Sequence, residues 1–441
     1  MEISPFRGIR YNQRIVRDLG GVICPPYDVI SPVQQKLYYR KSEYNAIRLE
    51  LPAKNQGLTV DRYQTATITF QKWLREGIFR QDSLSHFYLH RHQFEYSGET
   101  KVRQGLIARV KLEPWGNGIY PHEETASKAK GDRLQLLRAC RASFSPPLCL
   151  YHDGTMKVAS ILSRVSRRKP LVSVRGERSN LPDSGEGHFL WAITDQETTV
   201  ELSGPLGSAS LYVADGHHRY EAALCYSRER AEERRASGSE PFDYVMMELV
   251  DFSDPGLVVG PLHRLVWGIP PHLLVGLATR LRNLFVLEPV MLTAGNYPLP
   301  AGGCLGILGL QPDAMIVLKK RHDVSLDSMM PCNRSRAYRE FGVSVLNHVI
   351  LDMMLGGRNG LKVTYTPDVV EVYRQVTERR RYDLAFILNP PKPEMVKAIA
   401  DAQDRMPSKS TYFHPKVPAG LVINSLELPG RAQIGSTALR L

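Results

Sequence analysis

The stretch Ala214-Asp215-Gly216-His217-His218-Arg219-Tyr220-Glu221-Ala222-Ala223 is the most informative part of this sequence. The apolar residues Leu211-Tyr212-Val213 come directly before it and predict a short strand. The residue pattern after it predicts a helix over residues 217–235. Asp215 lies where an N-cap belongs, and Gly216 would let the backbone come close to a ligand. The stretch therefore predicts a strand-to-helix turn with room for a ligand.

The first turn of this predicted helix carries two imidazoles and a guanidinium, from His217, His218 and Arg219. Cations are normally unfavourable there, because the N-terminal end of the helix dipole is positive. Donors gathered at that point indicate an anion site, most simply one for phosphate. The alternative is an ordinary capped helix whose first turn happens to be polar.

Composition sets limits on the class of protein. With 441 residues, 43% hydrophobic and 23% charged, the chain predicts a globular protein of two or three domains. The N-terminus lacks the apolar core of a signal peptide, and the sequence predicts no membrane span. Six scattered cysteines without a CxxC pair or a Cys/His metal spacing predict reduced thiols in the cytoplasm and no metal centre.

The net charge of +12 fits nucleic acids, nucleotides or acidic metabolites as partners. The basic residues are spread along the chain, and neither a basic aromatic RNA-binding motif nor a basic tail stands out. Binding of nucleic acid is therefore not expected to be the main function. The composition does not predict an oligomeric state.

The order of predicted elements indicates an α/β or α+β protein in three parts. Residues 1–115 form an N-terminal α/β extension, residues 116–250 hold the motifs, and residues 251–441 form a C-terminal α/β lobe. The helices and strands that support this division are a helix over 32–41 capped by Ser31, a helix over about 59–76, an exposed-edge strand over 87–96 paired with 102–112, a strand over 383–388 and a helix over 393–402.

A second cluster of polar residues is Tyr120-Pro121-His122-Glu123-Glu124-Thr125, followed by Asp132 and Arg133. A carboxylate beside basic residues could remove a proton from a hydroxyl nucleophile, as phosphoryl transfer requires. The alternative is a helix N-terminus with glutamates in its first turn, which the helix dipole favours. Spacing alone favours this simpler alternative.

A third cluster runs from Met406 to Lys416 and reads Met-Pro-Ser-Lys-Ser-Thr-Tyr-Phe-His-Pro-Lys. Lys409 and Lys416 flank its hydroxyl groups, in a segment too irregular for a long helix. The segment could bind an anionic substrate. It could equally be a polar surface loop.

Several segments together resemble the prokaryotic family known as domain of unknown function 1015, over nearly the whole chain. The resemblance covers the third cluster from Lys409 onward and a set of shorter motifs elsewhere. These motifs are Pro5-Phe6-Arg7-Gly8, Pro25-Pro26-Tyr27-Asp28-Val29-Ile30, Pro121-His122-Glu123, Asp132-Arg133, Arg141-Ala142-Ser143-Phe144-Ser145-Pro146 and Asp215-Gly216-His217-His218-Arg219.

A more distant resemblance links the chain to ADP-dependent free-serine kinases with a ParB/sulfiredoxin-like domain. Pro121-His122-Glu123 looks like the turn that carries their catalytic glutamate, and residues 215–219 match their phosphate-binding turn. Lys409-Ser410-Thr411 is similar to their C-terminal Lys-Ser/Thr-Thr segment. In this chain Phe413 falls where those kinases carry a histidine, and about 115 residues precede the first motif.

The resemblance implies a ParB/sulfiredoxin-like nucleotide-binding domain and a small-molecule kinase, with an active site between that domain and the C-terminal lobe. With Mg²⁺ present, a phosphoryl group would pass from ATP or ADP to a hydroxyl metabolite such as free serine. Glu123 would be the general base, and Asp215 would cap the helix or help to hold Mg²⁺. The phosphate-binding residues would be Gly216, His217, His218 and Arg219, and the substrate-binding residues His122, Arg133, Lys409, Ser410 and Thr411.

Two alternatives of other classes stay open at this point. The first is a nucleotide-sensing ParB-like switch or DNA-associated regulator without turnover. The second is a metabolite-binding protein without catalysis. Turnover would distinguish the kinase from both, and salt-dependent DNA binding would identify the regulator.

Overall fold

The computed structural model describes residues 1–53, 61–123, 127–176, 185–234, 240–293, 295–357 and 360–427. Glu124 and Thr125 of the second cluster, and the loop predicted at 236–239, lie outside the described residues. The chain divides into two compact units. Unit 1 comprises Met1–Tyr120, Thr125–Leu257 and Pro415–Leu441, and unit 2 comprises Pro121–Glu124 and Val258–His414.

The elements of unit 1 alternate between strands and helices. Its strands are β1 (Ile3–Ser4), β2 (Ile9–Tyr11), β3 (Phe79–Gln81), β4 (Phe87–Tyr96), β5 (Glu99–Lys111), β6 (Ile119–Pro121, which ends on the first residue of unit 2), β7 (Ala142–Ser143), β8 (Leu148–Tyr151), β9 (Val172–Arg175), β10 (Gly187–Ile193), β11 (Leu211–Asp215), β12 (Tyr244–Asp251) and β21 (Asn424–Ser425). Its helices are α1 (Pro32–Lys41), α2 (Ile47–Glu50), α3 (Arg62–Arg75), α4 (Ser127–Cys140), α5 (Lys157–Ser166), α6 (Gln196–Ser208) and α7 (His217–Arg234).

A nine-stranded mixed sheet organises unit 1, in the order β6-β11-β8-β12-β5-β4-β10-β9 with β1 beside β5. β8 and β12 pair in parallel, whereas β5 pairs antiparallel with both β4 and β12. This mixture of a large sheet with helices confirms the predicted α/β class. The prediction of a boundary at residue 115 does not match the unit boundaries, because β4 and β5 hydrogen-bond to later strands of the same sheet.

Two apolar clusters cover the two faces of this sheet. Phe87 and Leu89 of β4 pack into the cluster that includes helices α5, α6 and α7, whereas Tyr88 packs into the one that includes α3 and α4. β4 therefore lies inside the sheet, between β5 and β10. The prediction of an exposed-edge strand at 87–96 was wrong. His90 and His92 of its alternating pattern are buried, whereas Gln93 and Glu95 near its end are exposed.

Local sequence signals account for several elements. Ser31 accepts a hydrogen bond from Gln34 N in a full capping box, and proline occupies the first position of α1. The other predicted helices correspond to α3, α7 and α13 (Pro393–Asp401), and the buried strand near 383–388 corresponds to β19 (Leu384–Ile387). These predictions are confirmed because capping and periodicity are local properties.

Unit 2 is built on a six-stranded sheet in the order β15-β17-β16-β19-β14-β18, with β13 and β20 as a separate pair. The remaining strands are β13 (Val258–Gly260), β14 (His263–Trp267), β15 (Phe285–Met291), β16 (Leu305–Gln311), β17 (Ala314–Lys320), β18 (Lys362–Thr366) and β20 (Tyr412–His414). The remaining helices are α8 (Pro271–Leu274), α9 (Leu277–Arg282), α10 (Arg336–Glu340), α11 (Gly342–Val345) and α12 (Val369–Tyr373), with π-helical turns at Leu346–Met354 and Arg374–Glu378. Apolar clusters cover both faces of the sheet.

Among the described residues, every helix is too short or too polar to cross a lipid bilayer.

Candidate functional site

The strand-to-helix turn predicted from the sequence is present in unit 1. β11 ends at Asp215, α7 begins at His217, and Gly216 between them has a φ of +85°. A side chain at residue 216 would be strained at that φ, and its Cβ would lie 2.9 Å from Arg219 Nε. Gly216, rather than Asp215, thus precedes the first helical residue, so the predicted N-cap was one residue too early.

The carboxylate of Asp215 binds two cationic side chains instead of the helix end. Its Oδ2 accepts a hydrogen bond from Arg219 Nη2 at 2.8 Å, and its Oδ1 accepts one from Lys416 Nζ. Burial would raise the pKa of Asp215, but the charges of Lys416 and Arg219 outweigh this and lower the pKa to about 2. We call Asp215, Gly216, Arg219 and Lys416 the clamp.

Arg219 is fixed by contacts on two sides. Besides Asp215, its guanidinium donates from Nη1 to Ser145 Oγ at 3.1 Å and to Pro146 O at 2.8 Å. The side chain is only 9% exposed, and its buried Nε has no hydrogen-bond partner. An unpaired buried donor on a fixed guanidinium, next to a glycine turn, suits an oxygen of a bound anion.

Arg133 belongs to the same polar network, in which Ser145 and Glu50 link it to Arg219 through hydrogen bonds. Ser145 Oγ donates to Glu50 Oε1 at 3.0 Å, and Arg133 Nη1 donates to Glu50 O at 2.8 Å. The Arg133 guanidinium also lies 4.0 Å from the ring centre of Tyr27. Sequence reasoning assigned Arg133 to substrate and missed Glu50 and Ser145. The family motifs that contain Tyr27 and Ser145 were the sequence features that could have indicated this network.

A small cavity of about 40 Å³ lies among these residues. Glu50, Arg133, Ser145 and Arg219 contribute to its lining, and the rest is mainly apolar. Sites for drug-sized ligands measure about 300 Å³ or more, so this cavity is too small for a nucleotide. A ligand of that size would have to bind outside this cavity.

The two histidines of the turn differ in their surroundings. His217 is buried, with its ring centre 6.4 Å from that of Trp115, and its charge contributes to the lowered pKa of Asp215. His218 is half-buried. The first turn of α7 therefore offers one enclosed and one more accessible imidazole.

Unit 2 brings the second and third sequence clusters together. Glu123 and Met406 form a parallel β-bridge, and Met406 N donates to His122 O at 2.7 Å. Lys409 N donates to Glu123 Oε1 at 2.8 Å, and His122 Nε2 lies 2.8 Å from Thr411 Oγ1. We call His122, Glu123, Lys409, Ser410 and Thr411 the Glu123 cluster.

Within the Glu123 cluster, Lys409 uses its backbone to hold the carboxylate. Its φ is +62°, and its side chain is exposed. Ser410, by contrast, is buried, and its hydroxyl donates to Pro407 O, so it closes a turn rather than facing a substrate. The side chain of Glu123 is 17% exposed, and its Oε2 lies 3.8 Å from His122 Nε2. This arrangement leaves one carboxylate oxygen available to take up a proton.

The predicted site residues thus fall into two groups. Asp215, Gly216 and Arg219 meet Lys416 in unit 1, and the predicted base and acceptor residues meet one another in unit 2. In the sequence, Lys416 was identified as one of two lysines that flank the hydroxyl groups of the third cluster, and its contact with Asp215 was not predicted. That both groups act on one substrate stays a prediction.

The family model described as "Protein of unknown function (DUF1015)" matches residues 3–343, more than three quarters of the chain. The chain belongs to this family. The family membership that the sequence motifs predicted is therefore confirmed. No curated protein matches it in sequence.

Solved structures similar to this DUF1015 member include a free serine kinase variant in complex with ADP, at 12% identity and a TM-score of 0.35, covering 70% of this chain and 90% of that one. A conserved hypothetical protein from Pyrococcus furiosus aligns at 12% identity and a TM-score of 0.33, covering 71% and 94%. C-terminally truncated SbnI from Staphylococcus aureus aligns at 10% identity and a TM-score of 0.33, covering 71% of this chain and 87% of that one. At these TM-scores the similarities carry no inference about this chain's activity.

Proposed function

We propose that this DUF1015 member is a phosphotransferase that moves a phosphoryl group from ATP or ADP to the hydroxyl of a small metabolite. The observation that carries the proposal is the clamp, in which Arg219 presents an unpaired buried Nε beside the turn at Gly216. The order of the three motifs further supports a ParB/sulfiredoxin-like assignment for the motif region.

The clamp fits an anion in charge and in shape. One carboxylate and two cations leave its side chains with one net positive charge, and the N-terminus of α7 adds about half a charge. Because residue 216 has no Cβ, an anion can approach the backbone amides at the start of α7. Gly216, His217, His218 and Arg219 would hold the phosphates.

Glu123 would act as the general base. The acceptor O–H would give its proton to Glu123 Oε2 while the acceptor oxygen forms a bond to the terminal phosphorus. The bridging oxygen–phosphorus bond would break, and ADP or AMP would leave with that electron pair. Thr411 and His122 would position the acceptor, and the exposed Lys409 ammonium would bind an anionic group of it.

Mg²⁺ would neutralise phosphate charge in such a reaction. Both oxygens of Asp215 already accept hydrogen bonds from cationic side chains, so Asp215 would position Arg219 and Lys416 rather than bind Mg²⁺.

The test is a thermal-shift screen with ATP and ADP at millimolar concentration, followed by transfer assays on a panel of hydroxyl metabolites. We expect a nucleotide to raise the melting temperature and Arg219→Ala to abolish most of that shift. Arg230→Ala is the matched control, because Arg230 lies on the same helix, pairs with Glu233 and, like Arg219, has a buried Nε without a hydrogen-bond partner. No shift with any nucleotide would contradict the phosphate site. Binding without turnover on the whole panel would instead favour a nucleotide-sensing switch.

A further inference from the structure

Three histidines that are not part of the clamp meet on the large sheet of unit 1. His90 and His92 lie two residues apart on β4 and therefore face the same side of the sheet. His188 on β10 is the direct cross-strand partner of His92. All three side chains are buried, with at most 2% exposure.

The ring nitrogens of these histidines are close enough to share one ion. His90 Nε2 lies 3.1 Å from His188 Nδ1. One nitrogen from each of the three rings can be chosen so that all lie within 4.8 Å of one another. Two nitrogens bound to a tetrahedral zinc ion, at about 2.1 Å each, are separated by about 3.4 Å.

Two carboxylates complete this group. Glu248 Oε2 lies 3.0 Å from His90 Nδ1, so His90 donates there and turns its Nε2 lone pair towards His188. Glu186 Oε2 lies 2.6 Å from His92 Nε2 and 3.8 Å from His188 Nε2. A carboxylate on the second nitrogen of a ligating histidine is the usual outer partner in metal sites.

The sheet has a gap where Glu248 crosses to reach His90. Gly105 of β5 is the cross-strand partner of His90, and β5 separates β4 from β12, which carries Glu248. A Cβ at residue 105 would lie 2.4 Å from Glu248 Oε1. The glycine therefore leaves the space through which the carboxylate extends across the intervening strand.

We propose that His90, His92 and His188 bind a divalent transition-metal ion, with Zn²⁺ as the best fit, and that Glu186 orients His92 as an outer hydrogen-bond partner. Imidazole and carboxylate ligands without thiolate suit Zn²⁺ and similar ions. Sequence spacing gave no sign of this site, because 96 residues separate His92 from His188.

The competing arrangement holds a proton instead of a metal. Besides the two carboxylates, a guanidinium contacts the cluster, because Arg103 Nη2 lies 3.4 Å from His92 Nδ1. Two carboxylates and one guanidinium together carry one net negative charge. One protonated imidazole would balance that charge without any ion. The two arrangements predict different metal contents.

The experiment uses the full chain, freed of any affinity tag and of bound metal by a chelator, then titrated with Zn²⁺ and separately with Co²⁺. We expect one Zn²⁺ per chain with a Kd below about 1 µM, and a visible Co²⁺ spectrum typical of tetrahedral coordination. His188→Gln should weaken Zn²⁺ binding by at least about 100-fold. His86→Gln is the control, because His86 is also buried, lies next to β4 and is outside the cluster.

X-ray absorption of the wild-type zinc complex keeps the proposal testable if the His188 variant does not fold. Its spectrum should fit three imidazole ligands. Three results would each overturn the metal site. The first is binding of less than 0.2 Zn²⁺ per chain at about 10 µM free metal. The others are equal Zn²⁺ affinity in His188→Gln and wild type, and a zinc coordination shell that contains sulfur. The first of these results would leave the proton-sharing arrangement.

Discussion

Asp215 and Glu123 are both carboxylates that lie near a lysine and a histidine, but the two regions use these groups differently. Lys416 directs its ammonium at Asp215, which also binds Arg219 and is held charged by both. Lys409 directs only its backbone N–H at Glu123, and its ammonium is exposed. The clamp thus has a fixed charge pattern, which fits the proposed anion site, whereas the proposed base Glu123 binds Lys409 N–H through one oxygen and has its other oxygen 3.8 Å from His122 Nε2.

The supporting structure explains this difference. Asp215 ends a strand of the large sheet, at a register shift in its pairing with β8, and Arg219 lies on the helix that follows, so two of the three charged clamp residues lie on regular elements. Lys409 lies in an irregular segment at positive φ. Charged groups can be fixed most firmly on regular elements, and loops are better suited to adapt to a substrate.

The largest effect should come from Glu123→Gln. The amide keeps the hydrogen bond from Lys409 N but cannot accept a proton, so we expect phosphoryl transfer to fall by about 10²–10⁴ with nucleotide binding retained. Single-turnover rates and nucleotide thermal shifts measure the two properties. Glu124→Gln, on the neighbouring carboxylate, should stay active. The reverse result would move the base to Glu124.

Lys416→Met should affect stability as well as binding. Because Lys416 helps to hold the pKa of Asp215 at about 2, below its ordinary 3.8, it contributes stability that is present above pH 3.8 and lost as the pH falls towards 2. We expect a loss of about 1–2 kcal/mol at pH 7, measured by urea unfolding, and a smaller nucleotide shift. Lys397→Met, which breaks an exposed pair with Asp401, should cost below about 0.5 kcal/mol. Equal losses would show that the clamp is no different from a surface ion pair.

Gly216→Ala should cost about 1–2 kcal/mol, because the positive φ at this position strains any side chain and the new Cβ would displace Arg219 Nε. The rise in melting temperature that nucleotide causes should also be lost in this variant. Gly204→Ala on α6 is the control, since residue 204 is exposed and has no atom within 4 Å of its ideal Cβ. A stable Gly216→Ala protein with unchanged nucleotide binding would argue against a fixed turn.

The smallest effect should come from Thr411→Val, which removes the hydroxyl beside His122 Nε2 at nearly constant volume. We expect a loss of about 1 kcal/mol in unfolding free energy and a several-fold rise in KM for the acceptor, with the nucleotide KM unchanged. Thr411→Ser restores the hydroxyl and should behave like wild type. A change in the nucleotide KM would assign Thr411 to the phosphates instead.

The sequence predicted those features that depend on neighbouring residues. The strand, glycine and helix from Leu211 to Arg234 follow from local periodicity, and Ser31 was placed by its capping pattern. The pairing of Glu123 with Lys409 joins residues 286 positions apart and was indicated only by family resemblance. The histidine cluster gave no signal, because it depends on which strands become neighbours in the sheet.

The position of Lys416 in the chain has a consequence for biosynthesis. Asp215 and Arg219 leave the ribosome about 200 residues before Lys416, and the bridges from Ala419 to Cys24 and from Ile423 to Ile9 form in the same late segment. A nascent chain that stalls or is cleaved anywhere before residue 415 therefore lacks one of the two cations of the clamp. The clamp would acquire its second cation only when translation has passed unit 2 and resumed unit 1, which restricts the proposed activity to chains that have been made almost to the end of the described sequence.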